Sequence, residues 1–486
     1  MEAIQKFLLS IVEWINATLS DYILLFLLVG VGLFYTIRTR FVQIRCFGEG
    51  FKRVFGGIFS KKDKAQKSGL SSFQALATAI AAQVGTGNIV GACGAILVGG
   101  PGAIFWMWVI AFLGMATIYA EAVLAQKTRV VDADGNVQGG PVYYIRDAFK
   151  GKFGKFLAGF FAVAIILALG CMGAMVQSNS LSNQVSIATS GIVPTWAVGL
   201  ALAAICAVIF IGGIKRIASV AEKIVPIMAI VYIVVGVSIL AINYDKILPT
   251  FGMIFRYAFD ASAIIGGTFG AIIVAITQGA KRGLFSNEAG MGSTPHAHAQ
   301  ANVKDPHDQG VVAMTGVFID TFVVLTITAL VVISTLYTGE GVFAGMNIIN
   351  ADTAEAIGIN RNNLMQTAVG QAFGNINVAN IIVAVCLTFF AFTTIISWNF
   401  FGKQNVQYLF GKKATIVYSV IAIGFIFLGS CLENALVWEL TDMFNNLMVI
   451  PNAIALIALS GAVVICTKAA KDRKKNKLSQ NLDKAE

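Results

Sequence analysis

A polar, glycine-rich stretch lies midway along a long apolar segment of this chain. The middle of the hydrophobic run from about 72 to 98 reads Ala81-Ala82-Gln83-Val84-Gly85-Thr86-Gly87-Asn88-Ile89-Val90-Gly91. Irregular backbone at bilayer depth is tolerated only where protein or water covers it. Unwinding would free amide groups that suit a carboxylate and carbonyl groups that suit a cation. The stretch therefore predicts half of a binding site for a small zwitterion and its driving ion, against the alternative of a glycine-rich packing face.

Two further apolar segments carry side chains that suit ion binding. Thr393 and Thr394 are adjacent in the ninth segment, and hydroxyl oxygens are suitable ligands for a hard cation such as Na⁺. The alternative is that each hydroxyl bonds its own backbone four residues earlier. Asp320 lies in the middle of the eighth segment, where an ionisable group indicates ion coupling, a proton relay or a structural partner.

Other residues at bilayer depth are weaker candidates. Gln177 and Asn179 lie in the fourth segment and are candidates for a pocket wall. Trp398, one turn after the threonines, either walls a small pocket or anchors at the membrane interface. Glu121 lies near the end of the third segment, where gating and snorkelling to the interface are both open.

Three histidines, His296, His298 and His307, share one loop. Their spacing could suggest a metal site, but no set of acidic or cysteine ligands accompanies them. We therefore interpret them as solvated loop residues.

The composition predicts a polytopic membrane protein. The chain of 486 residues is 57% hydrophobic and 12% charged, whereas soluble chains carry about 25% charged residues. The net charge of +10 does not indicate nucleic-acid binding, because the basic residues fall in particular loops. The seven cysteines are interpreted as small packing residues. The sequence shows neither a nucleotide-binding motif nor a nucleophile and base constellation, so we expect no catalytic residue and no cofactor.

Apolar runs predict eleven membrane segments after an interfacial helix in the first 20 residues. The segments are 21–37, 72–98, 101–126, 156–187, 192–212, 218–242, 262–282, 309–337, 378–401, 414–431 and 444–467. Of the 35 lysine and arginine residues, 31 fall in the C-terminal tail and in the loops on its side of this arrangement. Because basic loops stay in the cytoplasm, we expect the N-terminus outside and the C-terminus in the cytoplasm.

The seventh segment is too short to cross a bilayer as one apolar helix. Its apolar part, Ala263 to Ile276, covers about 21 Å of a hydrocarbon core about 30 Å thick. Thr277-Gln278-Gly279 follow, so we expect a second break there, with the Gln278 amide binding a substrate or bracing the chain. Interrupted helices at matching positions of two halves are typical of transporters built from inverted repeats.

This layout predicts an all-α polytopic membrane protein with one N-terminal transmembrane helix, a five-plus-five inverted repeat and two broken helices. The expected divisions are 1–71 for the interfacial helix, the first span and a basic loop, 72–242 for the first repeat, 243–467 for the second, and 468–486 for a basic tail.

Three stretches carry a resemblance to a known family. They are residues 81–91, quoted above, then Gly279-Ala280-Lys281-Arg282-Gly283-Leu284-Phe285-Ser286-Asn287-Glu288-Ala289-Gly290-Met291-Gly292, and Thr393-Thr394-Ile395-Ile396-Ser397-Trp398. In these stretches the chain resembles the alanine or glycine:cation symporter family, over about residues 20–467. That family belongs to the amino acid–polyamine–cation superfamily, whose members share the LeuT-like five-plus-five inverted repeat of neurotransmitter:sodium symporters.

The resemblance implies a sodium site between the first broken helix and the eighth core helix. The matching groups are the carbonyls of Ala81 and Val84 and the hydroxyls of Thr393 and Thr394. It also implies a substrate lying across both breaks, with its carboxylate near residues 85–87. Asn88 matches an asparagine that helps to bind a second sodium in some relatives. The expected substrate contacts are Gln83, Gly85, Thr86, Gly87, Asn88, Gln177, Thr277, Gln278, Gly279 and Trp398.

The functional hypothesis is a secondary active transporter that imports alanine or glycine with Na⁺ by alternating access. We expect it in the plasma (inner) membrane of a prokaryote, with lipid, substrate and ion as its partners. Proton coupling through Asp320 is one alternative. A channel or a nutrient sensor on the same fold is another, although the loops leave little room for a soluble sensing region.

Overall fold

The structure is a computed structural model that describes residues 2–19, 25–58, 69–132, 135–211, 213–259, 270–346, 354, 356–432 and 434–482. Within these ranges the chain is helical apart from loops and one short antiparallel pair of strands, β1 (Val130–Val131) and β2 (Val137–Gln138). The predicted helical class is therefore confirmed for the described residues.

The first half contains long apolar helices and several short connecting ones. They are α1 (Glu2–Thr18), α2 (Leu25–Arg38), α3 (Val42–Arg45), α4 (Phe47–Ile58), α5 (Ser72–Gln83), α6 (Gly87–Gly99), α7 (Gly102–Thr128), α8 (Pro141–Ala148), α9 (Gly151–Ala188), α10 (Thr195–Ile211) and α11 (Gly213–Ile242). Helix α9 contains a π-helical stretch, Ile166–Gly173. The basic loop predicted after the first segment is thus partly helical, since α3 and α4 lie in it.

The second half continues in the same manner. Its helices are α12 (Tyr244–Ala258), α13 (Gly270–Asn287), α14 (Pro295–Ala299), α15 (Pro306–Leu336), α16 (Leu364–Phe373), α17 (Ile376–Phe410), α18 (Ala414–Gly429), α19 (Asn434–Ala458) and α20 (Ser460–Leu482). Helix α15 contains a π-helical stretch, Phe318–Leu325, which includes Asp320.

Six of the described helices are long and apolar enough to cross a membrane: α7, α9, α11, α15, α17 and most of α19. The bent pair α5 and α6 makes a seventh if it is counted as one span. Helices α2, α10 and α18 are shorter apolar helices at predicted positions. The chain is therefore a multi-pass membrane protein, whereas the count of eleven spans and the inverted repeat stay predictions.

The predicted bounds of the eleventh segment, 444–467, lie about nine residues too far towards the C-terminus, because the apolar span is Ala435–Ala458. A further helix runs from Ser460 to Leu482 and includes most of the predicted basic tail. Polar residues at the start of the span lower its hydropathy, so the sequence pattern did not indicate a span there. They can lie in the span because they are paired inside the protein. Asn16 Nδ2 donates to Glu439 Oε2 over 2.7 Å, and Asp442 forms an ion pair with Arg282 at 3.0 Å.

Two arginines that are far apart in the sequence meet at one tryptophan ring. Arg282 lies within α13, and its guanidinium carbon is 4.9 Å from the centre of the Trp438 ring. Arg361 lies 5.8 Å from the centre of the same ring. The two arginines therefore share one region of the protein, because α13 continues past the end of its apolar run.

The three loop histidines are buried, so their interpretation as solvated residues is wrong. His296 and His298 are 0% and 1% exposed, and His307 is 5% exposed. His296 bonds Asn405 at 2.8 Å, and His298 bonds Gln309 at 2.9 Å. These imidazoles fasten the segment after α13 to α15 and α17.

Stability should fall in mild acid because of two of these histidines. Burial lowers the pKa of His296 to about 4 and that of His298 to about 3, below the value of about 6.5 in an unfolded chain. Below about pH 6.5 the unfolded chain therefore binds protons that the folded chain excludes, and the free energy of unfolding decreases as the pH falls. The slope is at most about 1.4 kcal/mol per pH unit for each histidine.

Thermal unfolding of the purified protein across about pH 7.5 to pH 5 measures this effect. We expect the stability gap between the wild type and His298→Gln to narrow steadily as the pH falls, because only the wild type loses the His298 contribution. A gap that stays constant over this range would contradict the assignment.

Candidate functional site

The predicted break in the second segment is confirmed. Helix α5 begins at a capping box, in which the Ser71 hydroxyl accepts from the Gln74 amide and the Gln74 side chain accepts from the Ser71 amide. It ends at Gln83, and Val84 leaves the helical region with φ −79° and ψ 87°. Helix α6 then starts at Gly87, and the two helices are bent by 46°.

Three backbone carbonyls surround one side-chain hydroxyl at this break. Thr394 Oγ1, on α17, lies 2.9 Å from the Ala81 carbonyl oxygen and 3.4 Å from that of Val84. It also lies 3.0 Å from the carbonyl oxygen of Phe390. A hydroxyl has one proton, so it satisfies one of these acceptors at a time. The excess of oxygen lone pairs in a buried cluster suits a small hard cation.

Thr393 is placed differently from its neighbour. Its hydroxyl donates to the carbonyls of Phe389, at 2.9 Å, and Phe390, at 3.1 Å, and lies 3.5 Å from the sulfur of Met228. The carbonyls that the Thr393 hydroxyl bonds are thus both in its own helix, and one of them, that of Phe390, also accepts from Thr394. The Phe390 carbonyl lies four residues before Thr394, so the backbone bond that the sequence offered as an alternative is present beside the contacts of Thr394 with the break.

Gly85 permits the close approach of these helices, which makes a direct prediction. A Cβ at Gly85 would lie 2.6 Å from Thr394 Oγ1 and 3.2 Å from the Gln177 amide. Gly85→Ala should displace the Thr394 hydroxyl and raise the sodium concentration for half-maximal uptake by about threefold to tenfold, or about 0.7–1.4 kcal/mol. Gly30→Ala is the matched control, because nothing lies within 4 Å of a Cβ there. Equal sodium dependence in both variants would refute the assignment.

A second buried polar cluster joins the break to α13 and α15. Asn88 Oδ1 accepts from the Gly85 amide at 3.0 Å, and Asn88 Nδ2 donates to Asp320 Oδ1 at 2.7 Å. The other oxygen of Asp320 accepts from Ser286 and Thr321, each at 2.9 Å. All of these hydrogen-bond donors to Asp320 are neutral. A carboxylate with neutral donors around it suits the binding of a cation or a proton.

Two glutamines brace the break. Gln177 Oε1, from α9, accepts from the Thr86 amide at 3.1 Å and so occupies one of the N–H groups that unwinding frees. Gln83 Nε2 donates to the Asn287 carbonyl at the end of α13, at 2.8 Å. Within the described part of the chain, Gln83 Oε1 and the Thr86 hydroxyl are buried and have no protein partner. These two atoms are therefore available to a ligand or to water.

The predicted break at Thr277-Gln278-Gly279 is wrong, because α13 continues unbroken through these residues to Asn287. Gln278 faces Gly99, where a Cβ would lie 3.1 Å from the Gln278 Cβ. Gly99 is about 18 Å along α6 from Gly87. The part of α13 that meets the break is Ser286, whose Cα would lie 3.1 Å from a Cβ at Gly87. Residues 260–269 lie outside the described ranges.

Aromatic side chains that the sequence analysis missed surround Trp398. The Trp398 indole donates to Glu288 Oε1 at 2.6 Å, and its ring fills the space that a Cβ at Gly173 would need. Phe285 contacts Trp398 edge to face at 6.0 Å and lies 5.0 Å from the Trp438 ring. Trp398 is 2% exposed, so it lies in the protein interior rather than at the membrane interface. Phe285 and Glu288 lie inside the second stretch that carries the family resemblance.

Glu121 holds the loop that follows α13. Its Oε2 accepts from the Gly290 amide at 3.1 Å, and its Oε1 accepts from the Gly292 amide at 3.0 Å and from Asn452 at 2.6 Å. Glu121 is fully buried, so snorkelling is excluded. Asn179 likewise braces a helix end, since it donates to the Gly429 carbonyl at 2.9 Å.

The membrane helices surround an unwound helix whose carbonyls lie close to a hydroxyl, and a buried carboxylate lies beside them. This architecture is typical of ion-coupled membrane transporters. The fold is similar to that of MhsT in its complex with L-phenylalanine, with a TM-score of 0.54 and 13% sequence identity. The alignment covers 83% of this chain and 99% of that one.

The chain belongs to the sodium:alanine symporter family, whose family model matches residues 5–484. It is 41% identical over 468 residues to the sodium/alanine symporter AgcS of Methanococcus maripaludis, covering 96% of this chain and 98% of that one. It is 36% identical over 480 residues to the putative sodium/proton-dependent alanine carrier protein YrbD of Bacillus subtilis, covering 96% and 94%. The chain is thus a cation-coupled amino acid transporter, and the family resemblance noted in the sequence is confirmed.

Proposed function

We propose that this protein imports a small neutral amino acid, alanine or glycine, with Na⁺ as the coupling ion, by alternating access. The observation that carries the proposal is the group of carbonyl oxygens from Ala81, Val84 and Phe390 around the single hydroxyl of Thr394. The name of the AgcS relative, a sodium/alanine symporter, supports both cargoes.

In this proposal Na⁺ binds among those oxygens and so bridges the unwound helix and α17. Thr394 supplies the side-chain ligand. Thr393 lies beside the site through the carbonyl it shares with Thr394. Because the ion would contact both α5 and α17, its binding would favour the arrangement in which these two helices lie together. An inward sodium gradient then drives the cycle.

The substrate carboxylate would bind at the start of α6, near Gly85 and Gly87. There the Thr86 amide bonds the neutral amide oxygen of Gln177. A carboxylate makes a stronger, charge-assisted bond to an amide than a neutral oxygen does, so it would displace Gln177. The Thr86 hydroxyl and Gln83 Oε1, which have no protein partner among the described residues, would be further contacts, and Asn88 and Trp398 would complete the pocket.

Competition measurements test the choice of substrate. Uptake of labelled alanine into proteoliposomes should be inhibited by unlabelled alanine and glycine and far less by leucine, and only when sodium is present. Inhibition by leucine as strong as that by alanine would refute the small-substrate assignment. A conductance without saturable uptake would indicate a channel instead.

Proton coupling is a second candidate, because the donors around Asp320 are neutral and leave room for a proton. The name of the YrbD relative includes both sodium and protons. This variant predicts uptake driven by an inward pH gradient in the absence of sodium.

The eleven spans, the five-plus-five inverted repeat, the prokaryotic inner membrane and the orientation of the termini form part of the proposal. Cys431 gives a simple test of orientation, because it is exposed while the other six cysteines are buried or partly buried. The proposed topology places Cys431 outside, so a membrane-impermeant thiol reagent should label it in intact cells. Labelling of Cys431→Ser to the same extent, or labelling only after lysis, would contradict the topology.

A further inference from the structure

A cluster of potential metal ligands lies apart from the transport site. Cys46 lies between α3 and α4, Glu49 lies in the first turn of α4, and His307 is the second residue of α15. The cysteine sulfur, a carboxylate oxygen and an imidazole nitrogen lie within 4.8 Å of one another. The sequence analysis did not connect them, because His307 is 258 positions beyond Glu49 and only folding brings them together.

The backbone positions these side chains towards one point. Cys46 immediately precedes α4 and Glu49 lies in its first turn, so the start of this helix positions both side chains. Helix α4 packs against α15, and this contact presents His307 to that face. The Nε2 atom of His307 is 3.6 Å from Glu49 Oε2.

The imidazole of His307 is held by its other ring nitrogen. Its Nδ1 bonds the hydroxyl of Tyr119 at 2.7 Å, and that hydroxyl also bonds Thr467 at 3.0 Å. Metal-binding histidines are typically oriented in this way, by a partner on the nitrogen that does not bind the metal. The arrangement leaves Nε2 directed at Cys46 and Glu49.

The donor set selects the kind of metal. One thiolate, one imidazole and one carboxylate suit Zn²⁺, with water in the fourth position, whereas Mg²⁺ and Ca²⁺ prefer oxygen ligands alone. Cys46 and Glu49 are partly exposed, so an ion can reach them, and His307 is buried behind them.

Basic side chains surround the cluster. Arg53 lies 3.0 Å and Lys474 lies 3.8 Å from Glu49, and Arg45 is close to the Cys46 thiol. The lysine and arginine side chains are long and flexible, and a divalent ion can replace them as partners of the carboxylate.

We propose that Cys46, Glu49 and His307 form a binding site for one Zn²⁺ ion that joins α4 to α15. Binding replaces the proton of the Cys46 thiol, which passes to solvent as the sulfur–metal bond forms. The ion ties the segment between the first two predicted spans to the helix that carries Asp320. The proposal concerns metal binding alone and does not depend on the substrate or on the coupling ion.

Titration of the full-length, untagged protein in detergent with Cd²⁺, a spectroscopic substitute for Zn²⁺, tests the site. The ultraviolet absorption of a cadmium–thiolate bond should saturate at one equivalent, be absent in Cys46→Ser, and be displaced by Zn²⁺. His307→Gln should weaken binding by about tenfold or more. The matched controls Cys431→Ser and Cys466→Ser should keep the full signal.

Thermal unfolding separates a lost ligand from a lost fold. Zn²⁺ should raise the midpoint of unfolding of the wild type and of Cys431→Ser and leave that of Cys46→Ser unchanged. If Cys46→Ser does not fold, the Cd²⁺ affinity of His307→Gln alone decides whether the site exists. The proposal fails if the wild type shows no saturable signal, if the signal persists in Cys46→Ser, or if it disappears in Cys466→Ser instead.

Discussion

Thr394→Val should raise the sodium concentration for half-maximal uptake by roughly 10-fold to 100-fold. Valine keeps the shape of threonine and removes the oxygen that lies among the carbonyls of Ala81, Val84 and Phe390. Losing a polar contact with a buried charge costs about 1.5–3 kcal/mol, and each 1.4 kcal/mol is about tenfold in affinity. Uptake of labelled alanine into proteoliposomes at graded sodium concentrations measures the change.

Thr393→Val is the matched control for this result. Its hydroxyl bonds the carbonyls of its own helix, so the same chemical change should alter the sodium dependence less than Thr394→Val does. If the two variants behave alike, or if Thr394→Val keeps the wild-type sodium dependence, the assignment of the site to Thr394 is wrong.

Asp320→Asn should reduce concentrative uptake by about 100-fold. The carboxylate accepts hydrogen bonds from Asn88, Ser286 and Thr321, and Asn88 in turn holds the Gly85 amide at the break. The asparagine side chain places an NH₂ group opposite one of these donors, so that hydrogen bond is lost. The substitution also removes the negative charge. The variant thus loses both the geometry and the electrostatic partner of a cation.

Ser286→Ala separates these two effects, because it removes one hydrogen bond to Asp320 and keeps the charge. We expect a loss of about tenfold or less, since one hydrogen bond contributes about 1 kcal/mol. Measuring both variants under a sodium gradient and under a pH gradient assigns the cation. Wild-type uptake by Asp320→Asn under both gradients would exclude Asp320 from coupling.

Local chemistry explains why the first break was predictable. Glycines and polar residues inside an apolar run leave the chain few alternatives at bilayer depth, and Val84 does leave the helix there. Thr277-Gln278-Gly279 has similar residue types, but the helix does not break there, because Gly279 allows close packing of α13 against α7. Glycine at a break and glycine at a helix contact look identical in sequence, and only the neighbouring helix distinguishes them.

Long-range pairing explains the other differences. Asp442 and Glu439 lowered the apparent hydropathy of the last span, yet Arg282 and Asn16 satisfy them inside the protein. Three of the four predicted sodium ligands come together, because Thr394 meets the carbonyls of Ala81 and Val84, which lie more than 300 positions earlier. Such partners become visible only in the folded chain.

The pocket wall shows the same limit. Glu288 lies in a stretch that the sequence analysis quoted, but its role was not assigned because its partner, Trp398, is 110 positions away. The proposed metal site of Cys46, Glu49 and His307 is a further example, since His307 lies 258 positions beyond Glu49. Side-chain types predicted which residues could bind an ion or a substrate. Only the folded structure shows which of them lie together.

The most direct test of this account is uptake of labelled alanine by purified protein in proteoliposomes under an inward sodium gradient. The account predicts accumulation above the external concentration with sodium, none with an equal potassium gradient, and a strongly reduced response in Thr394→Val. Accumulation that is the same with potassium as with sodium would contradict the central claim that the oxygens around Thr394 bind the coupling ion.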